Sequence, residues 1–513
     1  MNKVLKGLVA VVSTAAMAVA GFAGAASAMA ADPTGSIKVA AEDTHTYSVY
    51  QIFTGTYGTD GSLGNVEAGK NFNTANKAGT SGADLTAAEA AKAVSQLGSG
   101  ASDSKKLETI NKFVNLDGEA FGTVSATKPL NSVPAGYYLA KDSETVTGDD
   151  AATLYIVQVI GNQPVTITRK VDKPTFQKKV QDINDSTDTT TTDWQDSADY
   201  DVNDEVPFQL TATLPANAAD FAAYETYKLV FHDNQSAGLT FKPETVVVKY
   251  GDKTLGAGSY TVTENPEDKD TFDITITNAK AVNDANGNAI TVAAGGEFTV
   301  EYKSELNENA VIGAVGNPNE AYLEFSNNPN VGGESNTGKT TPDKVIVFTY
   351  QLDINKTFNG GTPDDNDLPK FRLYKFDKEA NAYSTDLGEV NITKTADGKY
   401  TASFKRVDDG KYKLVETKTP AGFNTAADTT FEITAVHEVT SDDPELTSLK
   451  IKINSTEVVA VAGTVVADVV NQKGSNLPST GGMGTTVLYA AGAAIVLVAA
   501  FGIAFAVRRR NAR

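Results

Sequence analysis

Ile354-Asn355-Lys356-Thr357-Phe358 alternates with a period of two, and that period sets Lys356 on the same side as Ile354 and Phe358. Phe176-Gln177-Lys178-Lys179-Val180 repeats the pattern, with Lys178 between Phe176 and Val180. Both stretches read as strands whose apolar face carries a lysine. An unpaired ammonium is costly to bury, so such an amine sheds its proton and becomes a nucleophile. Beside an Asn side-chain amide, and with a carboxylic acid kept protonated by the same apolar surroundings, it can attack the amide carbon. Ammonia leaves and an isopeptide bond remains, with proximity and shifted acidities replacing an outside catalyst.

The end of the chain's folded part offers the missing groups. Val469-Val470-Asn471 sets Asn471 on the face of Val469, and Tyr412-Lys413-Leu414-Val415-Glu416 sets Glu416 on the face of Tyr412 and Leu414. We assign Lys356 as nucleophile, Asn471 as acceptor and Glu416 as proton relay. Around them, segments 345–358, 371–376, 400–404, 411–416, 431–436, 449–453 and 465–470 read as strands of an immunoglobulin-like sandwich at 342–473. Upstream, Val206, Phe208 and Leu210, then Leu229 and Phe231, then Phe272, Ile274 and Ile276, then Leu323 and Phe325 alternate in the same way. They predict a second antiparallel sandwich at 171–341, closed by a linker from Asn327 to Pro342. Residues 31–170 mix strand patterns such as Gln51-Ile52-Phe53 with a helical run from Leu85 to Leu97, an α+β arrangement. The Asp- and Thr-rich segment Asp182–Asp204 reads as a solvated loop. The fold class is thus mainly β, with tandem immunoglobulin-like sandwiches after an α+β domain and a C-terminal transmembrane helix.

The two ends carry addresses. Lys3 and Lys6, an Ala- and Val-rich run and the exit Ala28-Met29-Ala30 make residues 1–30 a secretory signal peptide, cut after Ala30 or, alternatively, after Ala28. Val487 to Val507 is apolar and long enough to span a bilayer, and Arg508, Arg509, Arg510 and Arg513 hold the tail inside. Just before that span stands Leu477-Pro478-Ser479-Thr480-Gly481. Motif, span and basic tail over 474–513 together resemble the sorting signal of Gram-positive surface proteins, which a sortase cuts so as to join Thr480 to an amine.

Composition narrows the rest. The formal charge is −20, and the two end segments hold basic residues but no acidic one, so the part between is more acidic still. Such a surface repels nucleic acid. No Cys is present, which excludes disulfides and thiolate metal sites. His45, His232 and His437 lack metal-ligand spacing and read as strand or loop residues, and no cofactor motif or catalytic triad is found. Asp284, Asn286 and Asn288 begin like a calcium loop, but the closing Glu is missing, so an EF-hand is rejected and only a shallow cation site stays open. The expectation is a non-enzyme without metal or cofactor.

Tyr412, Leu414, Glu416, Thr417, Pro420, Gly422 and Phe423 resemble the E-box of Gram-positive backbone pilins, with Thr419 and Phe423 where Ala and Tyr are usual. The layout from signal peptide to sorting signal is similar to that family over essentially the whole chain. The resemblance implies self-formed bonds in CnaB-type domains. For the middle domain it implies Lys178 with an Asn ending the last strand, where parity with Leu323 and Phe325 selects Asn327 over Asn328. It implies Asp233 as the acid there, with Glu205 as runner-up. It also implies an intersubunit lysine at the end of the N-terminal domain, where Val165-Thr166-Ile167-Thr168-Arg169-Lys170 keeps the spacing but lacks the family's Tyr and Pro. That selects Lys170, with Lys173 as the alternative. Implied partners are a class C sortase, identical pilin subunits, a housekeeping sortase with peptidoglycan as the terminal acceptor, and tip or base pilins. The implied function is the major shaft subunit of a surface pilus supporting adhesion. The competing reading is a monomeric wall-anchored adhesin.

Overall fold

The computed structural model describes residues 34–474 except 59–61, 75–83, 98–102, 145, 147, 149, 154, 170–171, 184–190, 332–335 and 454. The signal peptide, Lys170, the pentapeptide Leu477–Gly481 and the apolar span 487–507 lie outside the described residues. Among the described residues no helix is long and apolar enough to cross a membrane.

Strands dominate because apolar residues recur at every second position. In Glu205–Thr213, Val206, Phe208, Leu210 and Ala212 are all buried and the residues between them are not. The first module pairs Thr34–Val39 with Leu130–Pro134 and, in parallel, with Pro164–Ile167. A second sheet runs in the order Leu63–Ala68, Thr46–Tyr57, Gly136–Asp142, Ile156–Ile160, with Gly122–Ser125 also on the long strand. Against it lie the helices Ala87–Ser95 and Asp103–Asn111. The first helix starts where Thr86 and Glu89 form a reciprocal capping box, which satisfies two otherwise orphaned N–H groups.

The middle module is a sandwich. One sheet orders Lys253–Thr254, Leu239–Tyr250, Glu297–Leu306, Glu205–Thr213 and Thr175–Val180. The facing sheet orders Ser197–Asp199, Asp343–Phe348, Asn317–Ser326, Leu229–Gln235, Phe272–Ile276 and Thr261–Glu264, with Thr337–Lys339 beside Asn317–Ser326. In the last module Thr393–Lys394, Tyr400–Val407, Tyr350–Asn359 and Thr464–Gln472 face a sheet from Ala382–Asn391 to Thr456–Val459.

Two expectations change here. The segment from Asn327 to Pro342 is not simply a linker: Gly338 of its strand Thr337–Lys339 pairs with Phe325. The strand that follows, Asp343–Phe348, pairs antiparallel with Asn317–Ser326 and parallel with Ser197–Asp199. Its Val345 and Val347 enter the middle core while Ile346 and Phe348 enter the last core. A boundary at 341/342 therefore precedes a strand that both cores share. The second change concerns Asp182–Asp204, where Asp182, Asp196, Ser197, Asp199 and Asp201 are buried rather than solvated. Two of them meet cations there: Asp196 pairs with Lys179, and Asp201 accepts from Lys375 Nζ at 2.8 Å.

Candidate functional site

Both inward lysines are buried as their parity requires, Lys178 at 0 % exposure and Lys356 at 2 %. In the last module Lys356 lies on Tyr350–Asn359, which runs parallel to Thr464–Gln472 with Lys356 opposite Val469 and Phe358 opposite Asn471. The lysine Nζ donates to Val469 O at 3.2 Å and to Thr357 O at 2.8 Å, and it sits 4.4 Å from the centre of the Phe358 ring. Burial pulls its ammonium down to about 8, against the pull of the Glu416 charge. Asn471, fully enclosed, donates from Nδ2 to Glu416 Oε2 at 2.9 Å and Oε1 at 3.1 Å, and to Asn424 O at 2.6 Å. Its Oδ1 has no hydrogen-bond partner among the described residues.

Local sequence holds Glu416 in place. Tyr412 and Leu414 bury the same face of Gly410–Lys418, and the Tyr412 hydroxyl donates to Asp408 O at 2.8 Å. Past Pro420, Gly422 takes a φ of +83°, a conformation that favours glycine. The chain then reverses so that Ala426 N–H reaches Glu416 Oε2 at 2.5 Å and Phe423 meets Phe358 edge to face at 5.2 Å. The E-box residues thus fasten the acid's strand to the loop that covers Asn471.

In the middle module Lys178 Nζ donates to Asp233 Oδ2 at 2.5 Å and to Tyr302 Oη at 2.9 Å. Tyr302 donates its own proton to Asp233 Oδ2 at 2.6 Å. The rings of Phe208, Phe241 and Phe272 pack around Tyr302 and give the group an apolar surrounding, in which its hydrogen bonds are strengthened. Burial lowers the lysine and raises the aspartic acid, in each case despite the partner charge. Both shifts favour a neutral amine beside a protonated acid. Glu205 is exposed and bonded to Lys303 at 2.9 Å, away from this group.

The Asn amide nearest this group is not the expected one. Asn327 does not reach Lys178: its Nδ2 donates to Asp150 O at 3.3 Å, at the boundary with the first module. Asn319 stands in that place, fully buried, with Nδ2 donating to Tyr302 Oη at 2.9 Å and Oδ1 unpartnered among the described residues. The reason is register. Asp233 lies opposite Ala321 across the Leu229–Gln235 and Asn317–Ser326 pair, so the residue near the acid comes from the start of that strand, not from its end. Tyr302 was also missed from sequence, although Phe298-Val300-Tyr302 already carries the inward parity.

A third lysine also points inward. In Phe371, Leu373 and Lys375 the same parity buries Lys375 at 1 % exposure, but its Nζ meets Asp201 at 2.8 Å and Asp408 at 2.7 Å. It forms an ion pair that braces the middle and last modules.

Residues 366–445 match the SpaA family of prealbumin-like fold domains, and residues 469–512 match the LPXTG cell wall anchor motif. The trypsin-resistant surface T6 protein of Streptococcus pyogenes serotype M6 is 26 % identical, over 68 % of this chain and 71 % of its own. Similar solved structures include the T6 backbone pilin of serotype M6 Streptococcus pyogenes, with TM-score 0.49 and 18 % identity over 87 % of this chain and 100 % of that one. The full-length major pilin SpaD from Corynebacterium diphtheriae gives 0.45 and 17 % over 86 % and 98 %. The chain is a wall-anchored protein of the cell surface. Within that class the chain is similar to Gram-positive backbone pilins.

Proposed function

We propose that this chain is the major shaft subunit of a covalently polymerised pilus, locked internally by isopeptide bonds from Lys356 to Asn471 and from Lys178 to Asn319. The observation that carries the proposal is the coincidence, in two successive modules, of a buried lysine with an acid and an Asn amide. In each, the neutral amine attacks the amide Cγ, the new Nζ–Cγ bond forms and the Cγ–Nδ2 bond breaks. Glu416, or Asp233 through Tyr302, takes the proton from the amine and gives one to the departing nitrogen, so that ammonia leaves and the acid is regenerated.

Between subunits, a class C sortase opens the chain after Thr480 and joins it to Lys170 of the next copy, with Lys173 as the alternative acceptor. A housekeeping sortase ends the polymer on peptidoglycan, tip or base pilins join it, and the assembled shaft supports adhesion. The modules follow one another along the shaft, the middle and last ones joined by the strand Asp343–Phe348 that both cores share. Strand Tyr350–Asn359 and strand Thr464–Gln472 are immediate parallel neighbours, so a bond between them lets tension enter and leave the last module without loading the rest of its sheets.

Two measurements test this. Cells carrying the chain and its sortase should give high-mass ladders that survive boiling in detergent and vanish with Lys170→Ala; a single monomeric band would support the wall-anchored adhesin instead. The intact mass of the mature chain should fall short by roughly 17 Da per bond, one ammonia each. A full calculated mass would sink both internal bonds.

A further inference from the structure

On the outward side of the strand that carries Asp233, His232 is enclosed at 5 % exposure. Its Nδ1 stands 2.8 Å from Asp273 Oδ1, 3.3 Å from Asp270 Oδ2 and 3.3 Å from Asp268 Oδ2. One atom from each of the four residues lies within 4.8 Å of the others. Asp273 is the cross-strand partner of His232, and Asp268 and Asp270 belong to the turn that leads into its strand. Despite these short separations, neither ring nitrogen of His232 nor Asp273 Oδ1 makes a hydrogen bond of normal geometry among the described residues. Nitrogen and oxygens converge on a common point rather than on one another. That is how ligands stand around an ion.

The surroundings are built to hold the imidazole still. Tyr322 stacks on it at 4.5 Å between ring centres and donates its hydroxyl to Asp270 Oδ2 at 3.1 Å. Behind the ring, Glu324 Oε2 lies 3.6 Å from Nε2. A carboxylate behind the second nitrogen is the usual outer partner of a metal-bound histidine, fixing the tautomer that leaves Nδ1 free to ligate.

We propose that His232, Asp268, Asp270 and Asp273 form a binding site for one divalent transition-metal ion of the Zn2+ or Mn2+ class. Carboxylate oxygens alone would suit Ca2+, but an imidazole nitrogen in the set selects ions that accept nitrogen. The ion would tie the turn Asn265–Thr271 to the Asp233 strand, to which Thr271 N–H already donates at Asp233 O, 2.8 Å away. The competing account is an imidazolium that simply pairs with three carboxylates.

Calorimetric titration of the metal-free mature chain with Zn2+, Mn2+ and Ca2+ separately decides between them. Expected is one equivalent of Zn2+ or Mn2+ that disappears in His232→Gln, is weakened in Asp268→Asn, whose side chain lies at the exposed rim, and persists in His437→Gln. Glu324→Gln should weaken it roughly 10- to 100-fold. Mn2+ should also broaden the His232 ring resonances of the unaltered chain, a readout that needs no variant. Equal uptake by His232→Gln, tighter binding of Ca2+ than of either other ion, or no uptake with sharp His232 signals would overturn the site.

Discussion

The Lys178 and Lys356 sites contain the same three groups and differ in what stands between them. At Lys178 a phenol takes hydrogen bonds from both the amine and the Asn319 amide while giving its own to Asp233. At Lys356 the amine rests on backbone carbonyls, and the acid holds the amide directly. The middle site thus organises its reactants through a fourth side chain, and the last site through the alignment of two parallel strands. Lys375 makes the contrast sharper. Equally buried, its amine meets two aspartates, Asp201 and Asp408.

The largest expected effect comes from removing a cross-link. Lys178→Ala should restore roughly 17 Da of mass and cost about 5 kcal/mol by the loop-closure reasoning developed for disulfides. Asn319→Ala should do the same and Asn327→Ala should not. Mass spectrometry with thermal melting reads both, and a bond surviving Asn319→Ala would return the acceptor role to Asn327.

Next comes Lys375→Met, which leaves Asp201 and Asp408 buried without their cation. We expect a loss of about 3–5 kcal/mol with no missing bond, so the melting temperature falls while the mass matches that of the unaltered chain apart from the substitution. A change in the count of bonds would mean that Lys375 is itself a nucleophile.

Glu416→Gln removes the relay but keeps the packing. Bond formation in refolded protein should slow by about 100-fold or more, and the residual rate should rise with pH to a midpoint below about 8, because the variant also lacks the Glu416 charge that holds the Lys356 ammonium up. A residual rate indifferent to pH would show that deprotonation of Lys356 does not limit it.

The smallest effect concerns acidity at the joint between the middle and last modules. Asp182 is pushed up to about 8 and Asp409 to about 7, by burial first and then by the Asp199 charge. Unfolded, both ionise near pH 4. Between about 4 and these values the folded chain holds protons that the unfolded chain has released, so stability falls as pH rises. Burial favours neutral His437, yet Asp199 and Asp182 raise it overall, and stability due to its charge is likewise lost as pH climbs through its folded value. The melting temperature should therefore be lower at pH 8.5 than at pH 6, and a rise would refute this balance.

How much of this was legible follows from what a period of two can tell. Parity correctly buried Lys356, Glu416, Asn471, Lys178 and Asp233, since each shares a face with named apolar neighbours. It could not choose between Asn319 and Asn327, which lie on the same face of one chain segment. Eight residues of strand separate them by roughly 26 Å, and only the pairing of Asp233 with Ala321 selects one. The metal-like cluster was invisible for a related reason. Asp268 and Asp270 approach His232 through a turn and Asp273 across a ladder, so no fixed spacing announces them. Lys375 shares its face with Phe371 and Leu373, so the same parity makes its burial legible.

The strand Asp343–Phe348 has a consequence for anyone cutting or recombining this protein. Since consecutive side chains seed two different interiors, slipping it by one residue would expel apolar groups from both at once. Two independent interiors therefore proofread a single register. A fragment ending before Asp343 would lack Val345 and Val347, and one beginning after Phe348 would lack Ile346 and Phe348. Inheritance and engineering alike must treat the two sandwiches as a single heritable piece.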